Sequence, residues 1–394
     1  MQISQSEIQP HKGVVTLFGY GASVRVDRGH LILEDGVGPR RRYGRFARVR
    51  HGIKRVVAIG SDGSVSLAAL RWLADQNAAF VMLERNGKVL ATTGPVSPSD
   101  VRLRRAQSLA HESGIALKMA RELIQQKLTG QQRVLKQFFK DSRASDVIAN
   151  ARRLVTHAKS NEEILRWEAR GAHAYWSAMR DLPVSFNKAD SMKIPEHWKS
   201  FGSRVSPLTN SPRLAVTPAN AILNYLYAIL ESESRLALGT LGLDPGIGVL
   251  HNDLRSRDSL ACDLMEPVRP KVDELLLKLL STSQLRREWF FEQRDGNCRL
   301  MGSFAEMLSE TATMWRAAVS TFAEWIARCI WESKLTQVRT KAPATPLTQR
   351  HKSEGRAKLN CGVGETNRPR PVLCRGCGQI RISTSLVCGT CIPA

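Results

Sequence analysis

The sequence predicts an α+β protein: a β-rich N-terminal domain, a larger all-α domain, a flexible basic linker and a small cysteine-bearing tail. Three observations carry this expectation. Short apolar runs punctuated by Gly, Asp and Asn fill the first hundred residues. Apolar residues then recur every three or four positions as far as Trp331. The remainder is basic, poor in apolar residues and ends in two close cysteine pairs. The boundaries that follow are 1–97, 98–332, 333–370 and 371–394.

In the first domain VVTLF (14–18), SVRV (23–26), HLILE (30–34), VVAIG (56–60), AAFVMLE (78–84) and KVLATT (88–93) are expected as strands. One helix interrupts them, because SVSLAALRWLADQ (64–76) sets Leu67, Leu70 and Ala74 at i, i+3, i+7 spacing with Leu73 beside them. The second domain opens with a long helix or helical hairpin over about 100–138. Further helices are expected at 161–179, 218–237, 259–281 and 304–332, separated by proline, glycine or serine. The linker is rich in Thr and Pro, and no internal repeat is visible.

A formal net charge of +22, from 58 Lys and Arg against 36 Asp and Glu, repels itself unless a polyanion is at hand. Nucleic acid is the first candidate. A membrane is disfavoured, since no run of about 18 apolar residues occurs and the opening MQISQSEIQP is polar. With Cys262, Cys298, Cys329 and Cys361 scattered rather than arranged as a disulfide framework, a cytoplasmic protein is expected.

Three segments hold candidate chemistry. Ser160 and Glu163 form a capping box that starts the 161–179 helix. Along it Ile164, Glu168, Ala172, Tyr175 and Met179 share one stripe, so a carboxylate lies in the buried face, where it needs a counter-ion or a metal. An edge Glu paired with arginine is the plainer reading. His251 lies in GIGVLHND, where Gly246 and Gly248 give the backbone room; alone, a loop histidine is more often solvated than ligating. SLACDLMEPVRP (259–270) places Asp263 and Glu266 three apart, on one helix face, or as two solvated acids. Glu266 precedes Pro267, so it is expected to close a short helix while Pro270 opens the next. One nitrogen with two or three carboxylates suits Mg²⁺ or Mn²⁺ better than a closed zinc site.

These segments resemble the CRISPR-associated integrase, the metal-dependent DNase subunit that inserts new spacers during adaptation. The likeness runs over roughly 14–330 and includes AAFVMLERNGKVLA (78–91), RLRRAQ (102–107), ARELIQQKLTGQQRVL (120–135) and EARGAHAYW (168–176). It continues through TPANAILNYLYAIL (217–230), VLHND (249–253) and DLMEPVRPKVD (263–273), in the family's order. The resemblance implies Glu168, His251 and Glu266 as catalytic metal ligands, with Asp263 supporting them or competing with Glu266, where relatives often have Asp. It also implies attack of a DNA 3′-hydroxyl on a target phosphodiester, nuclease or reverse activity on branched DNA, a homodimer and a small second subunit. A solitary or transposon-encoded, casposase-like integrase shares this chemistry. A DNA-binding protein without activity is the alternative of a different class, disfavoured by the presence of all three ligands.

PRRRYGRFARVRHGIKR (39–55) is basic without an acid and interleaves Tyr43 and Phe46, so Arg40, Arg41, Arg42, Arg45, Arg48 and Arg50 are expected along a DNA backbone. A charged sheet edge explains part of the run equally well. Arg102, Arg104 and Arg105 are weaker candidates for the same role. In the tail, Cys374, Cys377, Cys388 and Cys391 have the spacing of a structural zinc ribbon.

Overall fold

The computed structural model describes residues 6–37, 41–60, 62–84, 88–94, 100–139, 141–204, 215–251, 257–333, 348, 351–352, 370–373 and 380–383. Two sheets form the N-terminal region. The first runs β1 (Ser6–Glu7), β5 (Arg42–Phe46), β4 (His30–Asp35), β3 (Ala22–Asp27) and β7 (Gly63–Val65) across its width. The second runs β2 (Val14–Phe18), β6 (Arg55–Ile59), β8 (Ala79–Leu83) and β9 (Val89–Thr93). β2, β6 and β8 are parallel, and α1 (Leu67–Asp75) lies in the crossover from β6 to β8. A parallel connection requires such an excursion.

The apolar runs of the second sheet lack polar alternation because both faces are covered. Val15, Leu17, Val56 and Phe80 point into a core shared with Leu31, Leu33, Trp72 and Leu73 of the first sheet and α1. Their sequence neighbours Val14, Val57, Val81 and Leu83 belong to the core of the helical region. Period-two alternation thus feeds two cores from one sheet.

The helical region comprises α2 (Val101–Ser108), α3 (Ile115–Phe138), α4 (Ser142–His157), α5 (Asn161–Met179), α6 (Pro218–Leu241), α7 (Ser259–Met265), α8 (Arg269–Thr282), α9 (Gly302–Ser309) and α10 (Ala312–Trp331). A short hairpin, β10 (Phe290–Glu292) with β11 (Cys298–Leu300), interrupts it. α6 is buried around most of its circumference and is closed at both ends: Thr217 caps it, Pro218 occupies its first turn and Gly242 ends it at φ 80°.

Three segments each form two helices, an outcome the sequence allowed for 100–138 and 259–281 and not for 304–332. The 100–138 segment divides before Gly114, whose φ of 74° a helix interior excludes. The 259–281 segment divides at Pro267, and 304–332 divides at Glu310 and Thr311. α4, β1 and β7 had no counterpart in the sequence reading, and β5 had one only in the charged sheet edge offered for part of 39–55.

The two regions are joined by charge as well as apolar surface. Arg55 of β6 meets Glu233 of α6 through two contacts, Nε to Oε1 at 2.5 Å and Nη2 to Oε2 at 2.6 Å, with both side chains buried. Arg42 of β5 bonds Asp35 and the Thr16 carbonyl, lies 4.3 Å from the centre of the Phe18 ring and reaches Glu306 of α9 at 2.9 Å.

Among the described residues no helix is long and apolar enough to cross a membrane. β12 (Arg370–Leu373) and β13 (Ile380–Ser383) pair antiparallel. Cys374, Cys377, Cys388 and Cys391 lie outside the described residues, as does Arg40.

Candidate active site

Glu168 sits in the middle of α5, whose Ser160 accepts from the Glu163 amide while Glu163 accepts from the Lys159 amide. This box fixes where α5 starts and therefore which way Glu168 faces. Ile164, Tyr175 and Met179 of the same stripe are fully buried, and Glu168 is 17% exposed. Its partner is a lysine, not an arginine.

Lys127 projects from α3, with Nζ 2.5 Å from Glu168 Oε1 and 2.6 Å from Glu266 Oε2. The sequence reading missed it, although a signal existed. Leu123, Ile124, Lys127, Leu128 and Gln131 continue the buried stripe of α3, where an ammonium needs anionic partners.

Glu266 closes α7 at φ −52° and ψ −48°, retaining helical geometry although Pro267 follows. Its side chain is 4% exposed. Arg269 lies 3.4 Å from Oε1. Burial opposes ionisation, but Arg269 and Lys127 outweigh it and hold the carboxyl at about 2. The Lys127 contact at Oε2 lacks hydrogen-bond geometry, which leaves that buried oxygen without a hydrogen-bond partner.

Both oxygens of Asp263 already have partners in this geometry. The residue is 0% exposed, and its Oδ2 accepts from the Val249 and Leu250 amides at 2.7 and 2.9 Å. Oδ1 meets His251 Nδ1 at 2.5 Å and the His251 amide at 3.3 Å. A carboxylate can only accept, so it selects the tautomer with the proton on Nδ1 and leaves the Nε2 lone pair available.

The loop carrying His251 passes so close to Asp263 that a Cβ on Gly248 would lie 2.6 Å from the His251 carbonyl and 2.7 Å from Ser259 Cβ. Close approach, not positive φ, requires glycine there. Asn161, at the start of α5, donates to the Val249 and Leu250 carbonyls and ties this loop to the helix of Glu168. Gln107 of α2 bonds the Asp244 and Ile247 carbonyls from the other side.

The structure therefore brings Glu168 and Glu266 to one ammonium and orients His251 through Asp263. Among the described residues no three His, Cys, Asp or Glu side chains converge closely enough to hold a metal ion as they stand. Lys127 fills the space between two of them. The donor set nonetheless fits a hard divalent ion: two carboxylates, an imidazole with a free nitrogen and one buried oxygen lacking a hydrogen bond.

The expected DNA-facing arginines separate into two groups. Arg42 is a correction: its side chain is 18% exposed and its guanidinium is committed to Asp35 and Glu306, so it joins the sheets to α9 rather than facing a phosphate. Arg41, Arg45, Arg48, Arg50, Arg102, Arg104 and Arg105 are exposed. Of these, Arg41 pairs with Glu34 at 2.8 Å and Arg48 with Asp75 at 3.2 Å.

A comparison with known families matches residues 15–311 to the family described as CRISPR associated protein Cas1. The chain is 28% identical over 310 residues to "CRISPR-associated endonuclease Cas1 1" of Archaeoglobus fulgidus, covering 74% of this chain and 84% of that protein. It is 31% identical over 298 residues to "CRISPR-associated endonuclease Cas1 2" of Rhodospirillum rubrum, covering 71% and 79%. Among solved structures, a casposase bound to its integration product shares the fold with a TM-score of 0.68 at 24% identity, over 88% of this chain and 99% of that one. The family match spans both the sheet region and the helices and loop that carry Glu168, His251 and Glu266, and on it the chain belongs to the CRISPR-associated protein Cas1 family.

Proposed function

We propose that this chain is a metal-dependent DNA integrase and endonuclease of CRISPR spacer acquisition, joining a DNA 3′-hydroxyl to a target phosphodiester. The observation that carries this reading is the His251 ring fixed by buried Asp263 beside the Glu168 and Glu266 carboxylates, in a chain of the Cas1 family. Glu168, Glu266 and His251 Nε2 would hold Mg²⁺ or Mn²⁺, which activates an oxygen nucleophile and offsets charge developing on the phosphodiester. Asp263 keeps the His251 proton on Nδ1, and Asn161 with Gly248 holds the loop in register. The exposed Arg45, Arg50, Arg102 and Arg105 would supply cations for phosphates, and Arg41 and Arg48 would do so by exchanging their surface carboxylates. We further infer a cytoplasmic homodimer working with a small second subunit, and one structural Zn²⁺ held by Cys374, Cys377, Cys388 and Cys391.

Strand transfer on branched DNA with Mn²⁺ tests the reading. Glu168→Ala and His251→Ala should each lower joining by more than about 100-fold, the upper end of the loss seen when a mere outer-shell partner of a metal site is removed, while DNA affinity changes little. Joining retained in either variant would refute the ligand assignment. No joining or cleavage by the unaltered protein would instead favour a DNA-binding protein without catalytic activity.

A further inference from the structure

The site holds a cation of its own. Lys127 Nζ lies between Glu168 Oε1 and Glu266 Oε2, at 2.5 and 2.6 Å, with its side chain only 9% exposed. A divalent ion bound by the same oxygens would sit about 2.1 Å from each, in the space the ammonium fills. Two cations cannot share it.

The charge balance leads to the same place. Lys127 and Arg269 together match the charges of Glu168 and Glu266. A divalent ion added to those four would leave excess positive charge among side chains that are 4–31% exposed, a costly burial. One resident cation must therefore withdraw. Arg269 is held against the Tyr227 ring, 5.0 Å from its centre, and its guanidinium is planar and rigid. Lys127 is a compact charge on a four-carbon stem with rotatable bonds, so it is the group able to leave.

We propose that Lys127 is the built-in counter-ion of the metal-free site and competes directly with the divalent ion for Glu168 and Glu266, thereby setting metal affinity. It is a positioning residue: it keeps the two carboxylates side by side until the ion replaces it. This rests on the reading of Glu168, Glu266 and His251 as metal ligands.

Calorimetric titration of the full-length, DNA-free protein with Mn²⁺ tests the idea, and Mn²⁺ is chosen because the tail's thiolates bind it poorly. Lys127→Met should bind Mn²⁺ at least tenfold more tightly than the unaltered protein. It should also melt at a lower temperature in EDTA and gain more from saturating Mn²⁺. Lys127→Arg, which keeps the charge, should show no such tightening. If Lys127→Met proves too unstable without metal, Lys127→Gln carries the same expectation with its hydrogen-bonding capacity retained.

A residue with a merely structural role would weaken metal binding or leave it unchanged when replaced, and either result with Lys127→Met or Lys127→Gln overturns the proposal. Glu168→Gln separates the two levels of inference. Tenfold weaker Mn²⁺ binding in that variant upholds the ligand reading whatever Lys127 does, whereas undiminished binding removes both.

Discussion

Asp273 is a buried acid of α8, 2% exposed, whose two oxygens accept the hydroxyls of Tyr175 at 2.9 Å and Tyr227 at 2.5 Å. Burial pushes its carboxyl up to about 6, although both phenolic hydrogen bonds and the nearby Arg204 and Arg269 work in the other direction. The folded protein thus holds this proton more tightly than the unfolded chain, where a carboxyl titrates near about 3.9. Its contribution to stability is complete below about pH 4 and is lost as pH rises through 6. Glu266 works the opposite way: held at about 2, it contributes above its unfolded value and loses that contribution as pH falls. Asp273→Asn removes only the first effect. The stability difference between wild type and Asp273→Asn should therefore shift by roughly 2 kcal/mol against the wild type between pH 4 and 7. Urea unfolding at both pH values measures it, and parallel pH profiles would contradict the assignment. None of this was legible in the sequence, because the three partners come from α5, α6 and α8 and no spacing along the chain predicts their meeting.

The elements differ in how openly the sequence announces them, and the difference is physical. α5 was readable to the residue, since its cap, stripe and carboxylate all lie within one segment. Asp263 and Glu266 were readable as a pair on one short helix, but their division of labour was not: three backbone amides from the His251 loop claim Asp263, and a lysine from α3 claims Glu266. Lys127 was hidden by the habit of reading lysine as solvated surface. Gly130 shows a similar hidden constraint. A Cβ there would lie 2.7 and 2.8 Å from Pro270 Cβ and Cγ, so α3 approaches α8 over a bare backbone, one turn from Lys127 and beside Arg269. The proline ring has no rotamer with which to give way. Alanine is worth about 1 kcal/mol more than glycine inside a helix, yet overpacking costs about 1–3 kcal/mol. Gly130→Ala should destabilise the protein by pushing α3 away from Pro270 of α8. Gly239→Ala in α6, where nothing lies within 4 Å of the new Cβ, should stabilise by up to about 1 kcal/mol. Equal melting shifts for the two substitutions would show that Pro270 does not set the helix spacing.

At the scale of the molecule, the sheet region and the helices behave as one body because β2, β6 and β8 contribute to both cores. The site depends on this only indirectly. α6, the helix that β6 grips through Arg55 and Glu233, packs against α7 and α8, which carry Asp263, Glu266 and Arg269. The order of strands and helices was legible from periodicity, whereas the joint was not: a lone arginine at the start of an apolar strand and a glutamate in an apolar helix, 178 positions apart, carry no mutual signal. Their pairing makes a sharp prediction about coupling. Arg55→Ala takes from buried Glu233 its hydrogen-bonded counter-charge, which costs about 3–5 kcal/mol. Replacing both partners, Arg55→Met with Glu233→Met, removes both buried charges and should recover most of that loss, since an apolar pair of similar volume is often neutral or better. Chemical denaturation of the two single variants and the double variant gives the coupling directly. A double variant whose loss equals the sum of the single losses would mean that Arg55 and Glu233 stabilise the molecule independently, and that apolar packing alone joins the two regions.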